Sequence, residues 1–445
     1  MTDPLRARVT TKALGLRGYC AASVHGTENL GLTDPEFIAY WFSLFRLDNQ
    51  PKPHFVTKVD DDQQGLGVPN QIKVAYREGA ETILQLRDDL PQTRGVTAAT
   101  AMSASLLDSA AAIGARITQF MYGNEPDLNN TGATAETWAA AVRQVYENLR
   151  SRAEGFCIGS LSSWANAADF ASAFADAFRG STLPIRSFGV HQYQGWPASI
   201  FRAGMVPYLE RIFGPHVEIA NHETDLTFTP TSLGLHDYRG AAYTVQNNLE
   251  HAANGVRCCD FTLRNGVGAG ALGNGLFKED GDPHPSGEAM RDMVAPFMDH
   301  QMVRVQHQRR DASRVYANAD GQIIIASYSE DPEQVIRKAY NQLRYGRTDL
   351  PSATEVWDYI RGAGPQPSDV DAHKLDTLRK YYLQAVADEA DVPRTVKIEI
   401  PFSGSSLSLL GAQFTKSGEG IQGTISGNVI TAQVWRQSAA RFRVT

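Results

Sequence analysis

The chain has 445 residues, 42% of them hydrophobic and 20% charged, which is the composition of an ordinary globular protein. Its 42 Lys and Arg residues against 49 Asp and Glu residues leave a net charge of −7, and this modest acidity gives no sign of a nucleic-acid-binding surface. No segment approaches the roughly 18 consecutive apolar residues that a membrane span needs, so the sequence predicts neither nucleic acid nor membrane as a partner.

The N-terminal segment and the cysteines bear on the compartment. Residues 1–8 lack the apolar core of a signal peptide, so the sequence as it stands predicts a cytoplasmic protein, although a secreted protein without its leader would show the same pattern. The cysteines all lie in apolar, strand-like contexts and are predicted to be small buried residues rather than disulfide partners or metal ligands. They are Cys20, Cys157, Cys258 and Cys259.

Strand and helix patterns alternate eight times between about residues 17 and 300, which predicts an α/β fold with a parallel (β/α)₈ TIM barrel. The strand-like runs are short and apolar throughout, as is typical of strands buried on both faces. The predicted strands are 17–24, 54–59, 82–86, 156–161, 187–193 and 257–263, with the fourth inside 117–126 and the seventh inside 216–225.

The pattern changes after about residue 300, where alternating apolar and polar residues indicate antiparallel strands. Residues 332–391 are helical and charged in pattern, and short strand-like runs resume at residue 394, separated by turn signals such as Ser426-Gly427-Asn428. The sequence therefore predicts a barrel over 15–300 and a small antiparallel β-sandwich over 301–445, with a helical insertion at about 332–391. Residues 1–14 could add a strand to the sandwich.

Two of the predicted barrel strands end in a polar cluster that contains a glutamate, Glu125 in one and Glu223 in the other. Reactive groups of such barrels lie at the C-terminal ends of the strands, so both carboxyls should reach the same rim. Two carboxylates that face each other across a cleft are what cleavage of a glycosidic bond needs. The other strand ends supply the candidate substrate contacts His25, Glu28, Arg87, Asn124, Trp164, His191, Tyr193, Trp196, Arg264 and Asn265.

The segment Tyr122-Gly123-Asn124-Glu125-Pro126 resembles the Asn-Glu-Pro signature on strand four of the clan-A glycoside hydrolases. Glu223, after the predicted seventh strand, matches the second glutamate of that clan, and a barrel followed by a β-sandwich is similar to its xylosidase and iduronidase branch. The resemblance implies a retaining glycosidase without a cofactor, which acts on an oligo- or polysaccharide. It implies Glu125 as the general acid/base and Glu223 as the nucleophile, one carboxyl protonated and the other ionised.

The same resemblance implies roles for neighbouring residues. Asn124 would direct its amide to the sugar 2-hydroxyl, and Tyr193 would hold the nucleophile ionised, a role that His191, two residues earlier on the same strand, could also fill. Arg87 could steady the charge of the nucleophile, or it could form only a structural ion pair with Asp88. Arg264 lies near the place where the clan often has a tryptophan, which would suit an anionic group on the substrate.

Several alternatives remain open at the level of sequence. Asp225 lies two residues beyond Glu223 and could compete for the nucleophile role. Trp164 and Trp196 could stack on sugar rings or simply cover the core. The chain could be an inactive carbohydrate-binding barrel, or a different barrel enzyme such as a metal-dependent hydrolase or an aldolase, for which Lys58 is the one plausible Schiff-base residue in a strand. No metal-ligand spacing appears, and the sugar, the linkage and the oligomeric state are not predicted.

Overall fold

The computed structural model describes the following parts of the chain, to which all statements below refer. They are residues 6–9, 22–26, 35–45, 52–59, 67–86, 95–128, 133–162, 167–191, 208–214, 216–224, 237–253, 256–264, 275–298, 302–306, 313–328, 351–360, 362–365, 367, 375, 393–415, 420–435 and 437–445.

Eight parallel strands form a closed barrel and follow one another around it in chain order, which confirms the predicted TIM barrel. Their pairing is parallel throughout, and register shifts occur only among the fifth to eighth strands of this barrel. The strands are β2 (Val24–His25), β3 (His54–Val59), β4 (Glu81–Leu86), β5 (Gln119–Tyr122), β6 (Phe156–Ser162), β7 (Ile185–His191), β8 (Glu218–Thr224) and β9 (Arg257–Asp260).

Helices cover the outside of the barrel and connect its strands. The helix after β5 shows why its sequence folds as it does, because Thr134 caps its N-terminus by accepting a hydrogen bond from the backbone N–H of Thr137 at 3.2 Å. The helices are α1 (Pro35–Ser43), α2 (Gly67–Arg77), α3 (Gly95–Ala112), α4 (Ala135–Asn148), α5 (Ala167–Phe178), α6 (208–213), α7 (Tyr238–Ala253) and α8 (Pro285–Ala289), which continues through a π-helical turn, Met290–Val294, into Ala295–Met298.

One layer of apolar side chains fills the middle of the barrel. Val56, Ile83, Met121, Cys157 and Cys259 pack together there, one from each of five strands. Since side chains alternate between the two faces of a strand, the inward residues two positions later lie one layer nearer the C-terminal rim. Cys157, Cys258 and Cys259 are buried, as the sequence predicted, whereas Cys20 lies outside the described residues.

The C-terminal strands form the predicted β-sandwich, an eight-stranded sheet in the order β14-β16-β12-β11-β10-β1-β13-β15 that folds over its own apolar core. The N-terminal strand β1 (Arg6–Val9) joins its two halves, because it pairs with β10 on one side and with β13 on the other. The remaining strands are β10 (Met302–Gln306), β11 (Ser313–Asn318), β12 (Gln322–Ser327), β13 (Arg394–Gly404), β14 (Leu407–Phe414), β15 (Gln422–Val434) and β16 (Ser438–Val444).

One turn expected from the sequence is wrong. Ser426-Gly427-Asn428 does not separate two strands, because β15 runs through it without interruption and Gly427 pairs with Gly404 of β13. Gly427 has a φ of +61°, and its lack of a side chain lets the strand accommodate a local irregularity instead of reversing direction.

The predicted insertion and the contact between barrel and sandwich involve helices. Within 332–391 the structure describes a helix, α9 (Ala353–Ile360), and a helical residue at Leu375, and the other residues of the segment lie largely outside the described ones. The sandwich contacts α7 of the barrel, where the hydroxyl of Tyr316 donates to Oε1 of Glu250 at 2.7 Å. No described helix is long and apolar enough to cross a membrane.

A buried carboxyl between β9 and α7 gives a test of the fold. Asp260 is 5% exposed, its Oδ1 accepts a hydrogen bond from Asn248 at 3.1 Å, and its Oδ2 has no hydrogen-bond partner among the described residues. Burial raises the pKa of Asp260 to about 7, although the hydrogen bond from Asn248 opposes this shift. In the folded chain the carboxyl therefore holds its proton at pH values where the unfolded chain has lost it.

We expect Asp260→Asn to raise the free energy of unfolding at pH 8 by about 1–2 kcal/mol, because the amide needs no ionisation in the core. The pKa of Asp260 is higher in the folded chain than in the unfolded chain. The contribution of wild-type Asp260 to the free energy of unfolding is therefore fully present below about pH 4 and is lost as the pH rises to about 7. Urea denaturation at pH 5 and pH 8 measures the difference, with exposed Asp176→Asn as control. A gain of equal size at both pH values would contradict the assignment.

Candidate active site

The turn after β5 carries the first glutamate in an unusual backbone conformation. Glu125 has a φ of +47°, and its backbone N–H donates to the carbonyl of Ser160 in β6 at 2.7 Å. Gly123, just before the turn, has a φ of +90°, and a Cβ there would lie 2.6 Å from the Trp138 ring, so glycine is required on both grounds. The turn directs the Glu125 side chain towards β7, where it is 15% exposed.

A glutamine inside the barrel fixes the neighbouring asparagine. Nε2 of Gln85 lies 3.1 Å from Oδ1 of Asn124, 2.9 Å from the carbonyl of Gly123 and 2.8 Å from Oγ of Ser160. Because the amide oxygen of Asn124 accepts from Gln85, its amide nitrogen is the group oriented away from this contact. That is the orientation needed for the donor role expected of Asn124, which is itself buried.

A bulge in β8 turns the second glutamate into the barrel. The register of β8 shifts against β7 between Asn221 and Glu223 and against β9 between Asn221 and Thr224, so β8 carries one extra residue relative to each neighbouring strand. Asn221 and Thr224 bond to α7 on the outside, with His251 and Tyr243 as their partners. Glu223 therefore points inward, where its side chain is 4% exposed.

A lysine forms an ion pair with this buried glutamate. Nζ of Lys58, in β3, contacts Oε1 of Glu223, and both side chains are 4% exposed. The ammonium also lies over the ring of Phe261, 5.1 Å from its centroid. The positive charge favours the ionised form of Glu223, since a buried carboxylate without a partner would be strongly disfavoured. An ammonium held in such a pair is not a nucleophile, which argues against the Schiff-base alternative for Lys58.

His191 lies between the two glutamates at the end of β7. Its Nδ1 is 3.0 Å from Oε1 of Glu125, its Nε2 is 3.2 Å from Oε1 of Glu223, and the same Nε2 is 3.1 Å from Oγ of Ser160. A carboxylate oxygen of Glu125, a ring nitrogen of His191 and a carboxylate oxygen of Glu223 all lie within 4.8 Å of one another. The two carboxyls therefore face each other across a single imidazole at the C-terminal rim of the barrel.

The same three atoms could in principle hold a divalent cation, since two carboxylates and an imidazole are common metal ligands. The ammonium of Lys58 already neutralises Glu223, and a cation bound there would have to displace it or bear its repulsion. The charges present therefore suit carboxyl chemistry better than a metal centre.

Of the remaining predicted substrate contacts, the structure describes His25 and Arg264 and leaves the others outside the described residues. His25 ends β2, and its backbone alone is described. The guanidinium of Arg264 donates to the carbonyl of Glu279 and lies 5.7 Å from the centroid of Phe37. The other candidates, and the competing Asp225, lie outside the described residues: Glu28, Arg87, Trp164, Tyr193, Trp196 and Asn265.

The sequence does not indicate the site role of three residues that the structure places there. Its pattern assigns no role to Gln85 and Ser160, and it offers Lys58 only as a Schiff-base residue. The alternation of β3 and β4 carries a partial signal, because Lys58 and Gln85 each follow an inward apolar residue by two positions near the end of a strand. Nothing in the sequence indicated the left-handed conformation of Ser160, which turns its hydroxyl towards His191.

Comparisons with known proteins show which solved structures share this fold. No protein-family model matches the chain, and no curated protein matches it either. Solved structures do match over nearly the whole length. A glucosidase from Croceicoccus marinus shows 13% identity and a TM-score of 0.59, with 100% of this chain and 99% of that chain covered. The chain has the fold of the clan-A glycoside hydrolases, in the xylosidase-type arrangement of barrel and β-sandwich.

Two further solved structures extend this likeness. A family 39 glycoside hydrolase from Xanthomonas axonopodis pv. citri shows 11% identity and a TM-score of 0.56, with 100% of this chain and 98% of that chain covered. A 4-O-α-L-rhamnosyl-β-D-glucuronidase from Fusarium oxysporum shows 10% identity and a TM-score of 0.56, with 99% and 100% covered. At such identities the clan-A likeness is one of fold and does not extend to the chemistry of the site.

Proposed function

We propose that this protein is a retaining glycoside hydrolase, with Glu125 as general acid/base and Glu223 as nucleophile. The observation that carries the proposal is the approach of the two carboxyls at the strand ends, with oxygen atoms within 4.8 Å of each other around His191. Retaining glycosidases have carboxyls about 5–5.5 Å apart, whereas inverting ones need about 6.5–9.5 Å to admit a water molecule. The close spacing therefore favours double displacement.

The environments of the two carboxyls support this division of roles. Glu223 is buried and paired with the Lys58 ammonium, which suits a carboxylate that must be ionised to attack the anomeric carbon. Glu125 is more exposed and contacts His191 rather than a permanent cation, which suits a group that must bind and release a proton. In the first step Glu223 bonds to the anomeric carbon while Glu125 protonates the leaving oxygen. In the second step Glu125 deprotonates water, and the water displaces Glu223.

Neighbouring residues complete the proposed mechanism. Asn124, oriented by Gln85, donates its amide to the sugar 2-hydroxyl, a contact that strengthens as positive charge develops on the ring. His191 contacts both carboxyls and holds them in a fixed relative position, and the Ser160 hydroxyl helps to fix the ring through its contact with Nε2. The substrate is a carbohydrate. The clan-A neighbours include a glucosidase, a β-xylosidase from Caulobacter crescentus and a glucuronidase, so glucosides, xylosides and glucuronides are the first classes to test.

Trapping of the covalent intermediate tests this function directly. A panel of aryl glycosides identifies the sugar. The corresponding 2-deoxy-2-fluoro glycoside with an activated leaving group should then inactivate the enzyme, because its glycosyl-enzyme forms but hydrolyses slowly. We expect peptide mass spectrometry to locate the fluoro-sugar on Glu223. Proton NMR of the natural reaction should show first a product of unchanged anomeric configuration. An adduct on Asp225, or a product of inverted configuration, would contradict the proposal.

A further inference from the structure

Two strained residues meet at the proposed acid/base. In the described part of the chain, Glu125 and Ser160 are the non-glycine residues with positive φ, at +47° and +51°. They are bonded to each other, because the Glu125 N–H donates to the Ser160 carbonyl at 2.7 Å. Such conformations cost on the order of 1 kcal/mol each or more, and they persist only where the surrounding structure imposes them. Something near this turn must therefore hold the backbone of Glu125.

Asp127 supplies a second bridge between the same two segments. Its Oδ1 accepts from the backbone N–H of Ser162 at 2.9 Å, and its Oδ2 accepts from the Ser162 hydroxyl at 2.6 Å. The turn after β5 is thus tied to the end of β6 two residues beyond Glu125 as well as at Glu125 itself. Asp127 is 3% exposed, so this bridge lies beneath the surface of the cleft.

The chemistry of Asp127 indicates that this bridge is maintained against an energetic cost. Burial raises the pKa of Asp127 to about 6, the hydrogen bonds from Ser162 oppose this rise, and the charge of Glu125 adds to it. Both carboxylate oxygens are used by Ser162, so the group is directed at the backbone of β6 rather than at the anomeric centre. Asp127 therefore bears on the reaction through the neighbouring turn whose backbone it fixes.

We propose that Asp127 is a positioning residue, which fixes the left-handed backbone of Glu125 through Ser162 and so aims the Glu125 carboxyl at the glycosidic oxygen. This inference rests on the proposed function, because it assumes that Glu125 protonates the leaving group. A shift of the acid by about 1 Å is enough to lower a rate by about 10²-fold. Asp127 therefore influences the protonation of the leaving group and leaves attack by Glu223 unaffected.

The dependence on the leaving group tests this role. For Asp127→Ala we expect kcat/KM to fall by about 10- to 100-fold on glycosides with poor leaving groups and by less than about 3-fold on a dinitrophenyl glycoside, which departs without protonation. Asp127→Asn should recover most of the activity, because its amide can accept from the Ser162 N–H and donate to the Ser162 hydroxyl. Ser162→Ala should give an intermediate loss, and exposed Asp169→Ala serves as the control.

A double variant distinguishes positioning from general stability. If Asp127 acts through Glu125, then adding Asp127→Ala to Glu125→Gln should cause no further loss of kcat/KM on glycosides with poor leaving groups. Inactivation by the activated fluoro-glycoside should proceed in Asp127→Ala at close to the wild-type rate, which also shows that the variant is folded with a competent nucleophile.

The outcomes separate the two proposals. A loss of equal size on all leaving groups, an additive loss in the double variant, or an unchanged Asp127→Ala enzyme would overturn the role of Asp127. If Glu125→Gln itself shows no leaving-group dependence, then the proposed function fails first, whatever Asp127 does. If Glu125→Gln shows that dependence and Asp127→Ala does not, the acid/base assignment stands and only the positioning role is lost.

Discussion

Replacing Glu223 by glutamine should lower kcat by roughly 10⁴- to 10⁶-fold on every glycoside that the wild-type protein cleaves, because no covalent intermediate can form. The loss should be nearly independent of the leaving group, since the missing bond is the one to the anomeric carbon. The measurement is steady-state hydrolysis of the best aryl glycoside from the panel, together with mass spectrometry of the protein after incubation with the activated fluoro-glycoside. No adduct should form.

The contact between Glu223 and Lys58 complicates this experiment, because Glu223→Gln leaves a buried ammonium without its counter-charge. Breaking a buried pair from one side costs about 3–5 kcal/mol, and inactivity could then reflect unfolding. Glu223→Gln combined with Lys58→Met removes both charges at similar volume and should regain stability without regaining activity. Recovery of hydrolysis in the double variant would show that Glu223 is not the nucleophile. Exposed Glu136→Gln provides a control for the change of charge.

Glu125→Gln should lower kcat/KM by about 10²- to 10⁴-fold on poor leaving groups and only slightly on a dinitrophenyl glycoside. The reason is that a good leaving group departs without protonation, whereas an alkoxide does not. The second step also loses its general base, so the glycosyl-enzyme should accumulate and appear as a burst of dinitrophenolate in stopped-flow measurements.

Azide provides an independent check on the acid/base. It needs no deprotonation, so it should restore turnover of Glu125→Ala and yield a glycosyl azide with the anomeric configuration of the substrate. The same addition should have no effect on the wild-type enzyme or on Glu136→Gln. If the azide product had inverted configuration, Glu125 and Glu223 would have exchanged roles.

The barrel could be predicted from the sequence because its signals are local. Eight apolar runs of strand length, separated by helical patterns, require a parallel sheet covered on both faces, and in β3 all six residues are buried as such a sheet demands. The positions of Glu125 and Glu223 at strand ends follow from the same count. Errors arose where a local signal was overridden, as in β15, where pairing of Gly427 with Gly404 outweighed a turn-like tripeptide.

The orientation of the site residues could not be predicted, because it depends on local departures from regular strand geometry. Simple alternation along β8 cannot place both His222 and Glu223 inside the barrel, and only the bulge before Thr224 brings the Glu223 carboxyl to Lys58. Likewise, the left-handed backbone of Glu125 depends on Ser160 in a different strand. The cation expected beside the nucleophile was Arg87, which lies outside the described residues, and the structure brings Lys58 to that place.

The sequence by itself determined the architecture and the two carboxyls, because hydrophobic periodicity and strand order are properties of the chain alone. The tertiary structure decided how the carboxyls are oriented and charged: which of them faces the Lys58 ammonium, that His191 contacts both, and that Asp127 holds the turn through Ser162. These contacts join residues from different strands at separations of a few ångströms. They depend on bulges and dihedral angles for which the spacing of residues along the chain carries no signal.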